Sequence, residues 1–163
     1  MLNWCLKMLE RHALHPTISE DQISDLVEIF YGKIQADDRL GPLFTQFMSA
    51  DWDTHLETMK RFWRSVMLKT GEYKGKPVPA HTRMHNIRSE DFERWLTLFH
   101  ETATAIFHPE AALLAYETAI RIAHSLWLAC YPDPFAQTPI WVTNPPGIEK
   151  ENERKDTCDL VNC

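Results

Sequence analysis

The 163-residue chain contains no apolar stretch that approaches the roughly 18 consecutive residues of a membrane-spanning helix. Its N-terminal region also lacks the continuous apolar core and the small-residue cleavage site of a secretory signal peptide. No dense run of lysine and arginine is present, and 17 basic against 23 acidic residues give a net charge of −6. We therefore expect a cytoplasmic protein that binds neither a membrane nor nucleic acid.

Cysteine is scarce, and its spacing excludes the common cysteine sites. The four cysteines match neither a C-x-x-C redox site nor a zinc motif: Cys5, Cys130, Cys158 and Cys163. His81 and His85 are four residues apart, but no cysteine or carboxylate convincingly completes a zinc site around them. We expect free thiols in a reducing compartment.

The sequence also lacks the sustained apolar–polar alternation of half-buried strands. Instead, apolar residues recur with helical spacing, and an apolar content of 44% is sufficient for the core of one domain. Ser19 and Ser89 are expected to cap helices, while Pro42 and Pro109 suit first helical positions. The patterns predict an all-α domain with helices over about 19–36, 42–48, 51–69, 89–107 and 109–130.

Residues 70–89 interrupt these helices. The segment contains two glycines and two prolines, and the prolines bias Lys76 and Val78 towards extended conformations. Regular structure should therefore lapse here, apart from a turn near His81. A connection of this length within one domain is itself an indication of function.

Both ends of the chain differ from its centre. Residues 1–17 form an N-terminal extension, in which the first 15 residues could form a short amphipathic helix. Residues 132–163 form a tail that is first proline-rich, with five of the ten prolines, and then charged. We expect Phe135, Ile140 and Trp141 to hold this tail against a domain formed by residues 18–131.

Three predicted elements together indicate the chemistry of a site. One helix carries His55 and Phe62 on one face, another carries Trp95 among aromatic residues, and the loop between the two helices carries His81. Flat apolar walls around a single histidine suit a large planar cofactor whose metal needs one nitrogen ligand. Haem is the obvious candidate.

The order of motifs then resembles group III of the truncated haemoglobins. "EIFYGKI" and "DDRLGPLF" are followed by "W..H......FW", by "G.Y.G.P...H" and by "F..WL.LF". These motifs correspond to Glu28–Ile34, Asp37–Phe44, Trp52–Trp63, Gly71–His81 and Phe92–Phe99. The resemblance extends over residues 18–131, and the absence of glycine pairs at helix junctions favours the third group over the first two.

This resemblance implies a two-over-two helical sandwich around one haem b. His81 matches the proximal histidine that binds the iron, and Tyr31, His55 and Trp95 match the polar residues on the ligand side. Pocket-lining positions are matched by Phe30, Phe44, Phe62, Trp63, Ile87 and Phe92. Arg83 is a candidate partner for a haem propionate.

The implied ligands are dioxygen, nitric oxide and carbon monoxide, or peroxide. Two buried donors would retain a ligand tightly, which favours nitric oxide or peroxide chemistry with an electron donor over oxygen transport. One alternative is a non-enzymatic sensing module that acts through the terminal extensions. Another is a globin-like domain that has lost its haem.

Overall fold

The computed structural model describes residues 12–48, 51–84, 86–133 and 135–148, and the regular structure within them is entirely helical. Its helices are α1 (Glu20–Ala36), α2 (Leu40–Phe47), α3 (Trp52–Met67), α4 (Pro77–Thr82), α5 (Ser89–Ile106), α6 (Pro109–Cys130) and α7 (Ile140–Thr143). Residues 12–15 are not helical, and the rest of the amphipathic helix considered for the N-terminus lies outside the described residues. The all-α prediction is confirmed.

The four long helices pack as two layers that share one core. Helix α1 contacts α2, α3 and α5, while α5 packs along α6 and the short α4 packs against α6. Fully buried side chains from α1, α3, α5 and α6 fill the space between them, among them Ile23, Phe30, Trp63, Phe99 and Tyr116. Burial of this apolar surface provides the main stabilisation of the fold. None of the helices in the described ranges is both long and apolar enough to cross a membrane.

Local capping explains where α1 and α5 begin. Ser19 caps α1 as predicted, because its Oγ accepts the N–H of Gln22 at 3.2 Å. Ser89 is not the cap of α5. Arg88 occupies that position and its N–H donates to the Asp91 carboxylate at 2.8 Å, while the Ser89 hydroxyl accepts the indole N–H of Trp127 at 3.1 Å.

Two proline predictions also need correction. Helix α2 begins at Leu40 rather than Pro42, because Asp37 accepts the Leu40 N–H at 2.8 Å and so caps an earlier start. The turn expected near His81 is the six-residue helix α4, and Val78 lies within it instead of being extended. Both prolines of this segment fall in its first turn, where a helix does not use the missing N–H groups.

The proline-rich segment lies against the helices through one of its three apolar residues. Trp141 is 3% exposed and stacks on Phe92, with ring centroids 6.0 Å apart. Tyr116 adds a second attachment by donating its hydroxyl to the Pro146 carbonyl at 2.6 Å. Phe135 and Ile140 are 89% and 78% exposed, so only Trp141 acts as expected. Residues 135–148 are referred to below as the strap.

Candidate functional site

A cavity of about 260 Å³ opens among the helices. Aromatic and aliphatic side chains form most of its wall, and polar groups reach it at a few points. Nine of the sequence-predicted site residues line it: Tyr31, Phe44, His55, Phe62, Trp63, His81, Ile87, Phe92 and Trp95. Residues from five helices and from the segment that follows α4 are therefore brought together as the sequence predicts.

Two predicted residues do not line the cavity. The Phe30 ring lies behind the wall, where it packs edge-to-face against Tyr31 and Trp95 at centroid distances of 4.9 and 5.1 Å. The Phe30 side chain is fully buried between α1 and α5, where its ring also packs edge-to-face against Phe99 at a centroid distance of 5.3 Å. Arg83 is exposed at the end of α4 and is not part of the lining.

Helix α4 fixes the orientation of His81. The Nδ1 atom lies 2.8 Å from the carbonyl oxygen of Pro77, one turn earlier in the same helix. Since the carbonyl can only accept, Nδ1 carries the proton and the lone pair of the ring is on Nε2. Burial lowers the pKa of His81, which keeps the ring neutral at pH 7. A neutral imidazole with its Nε2 lone pair available is what a metal ligand requires.

Helices α1 and α3 supply a second polar group of residues. The rings of Tyr31 and His55 meet edge-to-face with centroids 5.3 Å apart, and the Trp52 and His55 rings also meet edge-to-face, with centroids 5.9 Å apart. Burial raises the pKa of Tyr31 above its ordinary value, so the phenol keeps its proton. Burial, with the His81 ring adding to the effect, lowers the pKa of His55. Both side chains are therefore neutral near pH 7.

Two buried nitrogen atoms in this wall have no hydrogen-bond partner, namely Nε2 of His55 and Nε1 of Trp63. Trp63 is 1% exposed and packs nearly parallel to Trp95, with ring centroids 6.4 Å apart. Buried polar atoms without a partner are rare and costly in folded proteins. Their position at a cavity makes them available to a group bound there.

Sequence reasoning missed several residues of the lining. Tyr73 and Lys76 reach the cavity from the connection before α4, and Met84 reaches it from the segment after α4. Asp91 also lines it, although this carboxylate is 5% exposed. Lys76 could have been found from its place directly before the proline-bounded turn that carries His81, since it is a cation next to that turn, as Arg83 is on the other side. Asp91 carried no such signal, because acidic residues are common in the first turn of any helix.

The residues present fit a haem. A neutral histidine with a free Nε2, flat aromatic walls and buried nitrogen atoms without a partner are features that fit such a cofactor. Within the described ranges, no three histidine, cysteine or carboxylate side chains cluster closely enough to hold a metal ion, and His85, the second histidine of the pair considered for zinc, lies outside those ranges. A single histidine ligand is appropriate for a metal that arrives inside its own macrocycle.

Comparison with known proteins agrees with this chemistry. Over 110 residues the chain is 33% identical to a group 3 truncated haemoglobin of Campylobacter jejuni, a match that covers 66% of this chain and 87% of the relative. The chain belongs to the group 3 truncated haemoglobins. No protein-family model matches it.

The solved structures show the same relationship for this truncated haemoglobin. It superposes on the crystal structure of a group III truncated haemoglobin from Campylobacter jejuni with a TM-score of 0.66 and 29% identity. That match covers 76% of this chain and 98% of the other. The predicted truncated-globin fold is thereby confirmed, and membership of the family implies a haem cofactor.

Proposed function

We propose that this globin binds haem b in the cavity, with Nε2 of His81 as the iron ligand. The observation that carries the proposal is the 2.8 Å contact between His81 Nδ1 and the Pro77 carbonyl, which leaves Nε2 as the free ligating atom at a cavity wall. Bound haem would supply the reversible binding of dioxygen, nitric oxide and carbon monoxide. Lys76, which lines the cavity where Arg83 does not, is the better candidate for a propionate partner.

Tyr31, Trp95 and His55 are the residues we propose for ligand control. They project from α1, α5 and α3, whereas His81 projects from α4, which packs against α6. Tyr31 and Trp95 have an O–H and an N–H to donate to a diatomic ligand that carries negative charge. If each donor contributes about 1–1.5 kcal/mol, two donors slow ligand dissociation by about 30–150-fold.

Slow release favours reaction chemistry over oxygen transport. Conversion of nitric oxide and dioxygen to nitrate consumes one electron per turnover, so an electron donor is required as a partner.

Reduction of hydrogen peroxide to two waters consumes two electrons and two protons. The neutral His55 ring, with its buried Nε2 lacking a partner, is placed to exchange a proton with such a substrate. The electron donor and a cytoplasmic location stay predictions.

A single-turnover experiment tests the nitric oxide reaction. The oxygenated ferrous protein is mixed rapidly with nitric oxide, and both the decay of its spectrum and the nitrate formed are measured. We expect nitrate in a one-to-one ratio with protein and a decay that accelerates with nitric oxide concentration. Decay no faster than spontaneous oxidation would exclude this activity, and the same protein would then be assayed for peroxide reduction.

One observation favours the alternative of a sensing module. Phe135 and Ile140 lie on the strap with most of their surface exposed, although the next residue after Ile140, Trp141, is buried. The two exposed side chains are therefore available to a partner. Removing the whole tail would uncover Phe92, on which Trp141 stacks, so a Phe135→Ser/Ile140→Ser double variant is the cleaner test. Under this alternative, the variant loses ligand-dependent capture of a partner while its haem content and ligand affinity stay unchanged.

A further inference from the structure

We propose that the ion pair between Arg39 and Asp91 is a positioning device for His81. Arg39 lies between α1 and α2, and Asp91 lies in the first turn of α5. Neither side chain is hydrogen-bonded to His81. Together they hold the backbone that connects the histidine helix α4 to α5, and the proposal rests on the assignment of His81 as the iron ligand.

The two side chains form a bidentate ion pair, which is called the clamp below. Arg39 donates from Nε to Asp91 Oδ1 at 2.8 Å and from Nη2 to Asp91 Oδ2 at 2.7 Å. Paired guanidinium–carboxylate contacts of this kind are short, directional and stronger than contacts between neutral groups. The carboxylate is only 6% exposed, so its charge depends on Arg39 for compensation.

Both members of the pair also hold the connecting backbone. Arg39 Nη2 donates to the carbonyl oxygen of Asn86 at 2.7 Å, and Asp91 Oδ2 accepts the N–H of Arg88 at 2.8 Å. Between these two contacts, the Tyr131 hydroxyl donates to the Ile87 carbonyl at 2.8 Å. Three consecutive residues are thus tied by side chains from three different parts of the fold.

Two backbone hydrogen bonds connect this attached segment to the histidine. The N–H of Ile87 donates to the Met84 carbonyl at 3.0 Å, and the N–H of Met84 donates to the His81 carbonyl at 2.9 Å. Helix α4 itself is only six residues long and has no buried residue of its own. It packs against α6 without a fully buried side chain, so the attachments at its ends add to what fixes the position of His81.

The chain offers a closely matched control. Arg94 on α5 donates to Asp37, which lies in the same α1–α2 connection as Arg39, at 2.6 Å. This second ion pair therefore joins the same two parts of the fold. None of its hydrogen bonds reaches residues 86–88. An Arg94→Met variant removes an ion pair between these elements and leaves the attachment of the histidine segment intact.

The test compares Arg39→Met, Arg39→Lys and Arg94→Met in the haem-loaded full chain. Three quantities are measured: hydrogen exchange of the Arg88 amide, the iron–histidine stretching band of the ferrous form, and the rate of haem transfer to excess apomyoglobin. For Arg39→Met we expect faster exchange, a shifted band and haem loss accelerated by about tenfold. Arg39→Lys should show smaller changes than Arg39→Met in all three quantities, because an ammonium group can pair with Asp91 but cannot form both hydrogen bonds of the guanidinium group.

The results separate this inference from the proposed function. Wild-type protein that binds no haem would contradict the function, while exchange of the Arg88 amide would still show whether the clamp exists. Equal effects of Arg39→Met and Arg94→Met on haem loss, with an unchanged iron–histidine band, would overturn the positioning role. If Arg39→Met does not fold, the same comparison is made between Arg39→Lys and Arg94→Met, with the same expected and opposing outcomes.

Discussion

The side chain of His81 is hydrogen-bonded to the carbonyl of Pro77, the first residue of its own helix. The contact is local, since four residues separate the two partners. It fixes the tautomer of the ring without any help from a distant side chain. Because Pro77 begins the helix about one turn before the histidine, its carbonyl oxygen is in place to hold Nδ1 and leaves Nε2 as the ring nitrogen with a free lone pair.

Loss of the Tyr31 hydroxyl should release ligand faster. We expect Tyr31→Phe to raise the dissociation rate constant of dioxygen about tenfold, because one donor contributes about 1–1.5 kcal/mol. Stopped-flow displacement of dioxygen by carbon monoxide measures this rate. The control is Tyr116→Phe, which removes a hydroxyl that bonds to Pro146 away from the cavity. Equal dissociation rates in the two variants would show that Tyr31 does not contact the ligand.

The pKa of His55 predicts how stability depends on pH. Burial holds this pKa below the ordinary value of 6.5, so in the window just below pH 6.5 the unfolded chain binds a proton that the folded chain does not. The lowered pKa therefore costs no stability above about pH 6.5, and the free energy of unfolding decreases as the pH falls below that value. His55→Gln removes the titration. We expect its urea midpoint to fall less than the wild-type midpoint between about pH 7.5 and about pH 5.5. Parallel changes in both proteins would contradict the prediction.

The strap should contribute to stability through Trp141 and not through Phe135. Trp141→Ala removes a ring that is 3% exposed and stacked on Phe92. We expect the free energy of unfolding to fall by about 3 kcal/mol, at the lower end of the range for such changes, because a terminal segment can detach. Phe135→Ala, at a site that is 89% exposed, should stay within about 0.5 kcal/mol of wild type. Urea unfolding checks both values, and similar losses in the two variants would contradict this account of the strap.

Much of the fold was predictable because its helices carry strong local signals. Ser19 illustrates this, since a cap, an acidic first turn and a 3.6-residue apolar repeat all indicate the same helix start. Ser89 shows the limit. Its local setting is equally good for a cap, but Trp127, far along the chain, takes its hydroxyl as an acceptor and Arg88 becomes the cap. The tertiary contact with Trp127, and not the local sequence, therefore determines which of the two neighbouring residues is the cap.

The site was predicted less completely, for a related reason. The apolar positions of the cavity wall follow from helical periodicity, yet periodicity does not separate a residue in the wall from one directly behind it. Phe30 is one such residue, fully buried but displaced from the cavity by Tyr31 and Trp95. Asp91 was missed because its partner Arg39 is 52 residues away, and only the folded chain brings the two together.

The absorption spectrum of the purified protein tests the central claim most directly. Ferric, ferrous and carbon-monoxide forms are recorded for the wild type and for His81→Gly, each with and without added imidazole. The account predicts a strong Soret band that shifts when ferrous protein binds carbon monoxide. It also predicts loss of that spectrum in His81→Gly and its return with imidazole, which replaces the missing ligand in the space left by the side chain. A His81→Gly variant whose spectra match the wild type without imidazole would contradict the assignment of His81, and a wild type that stays colourless with added haem would contradict haem binding itself.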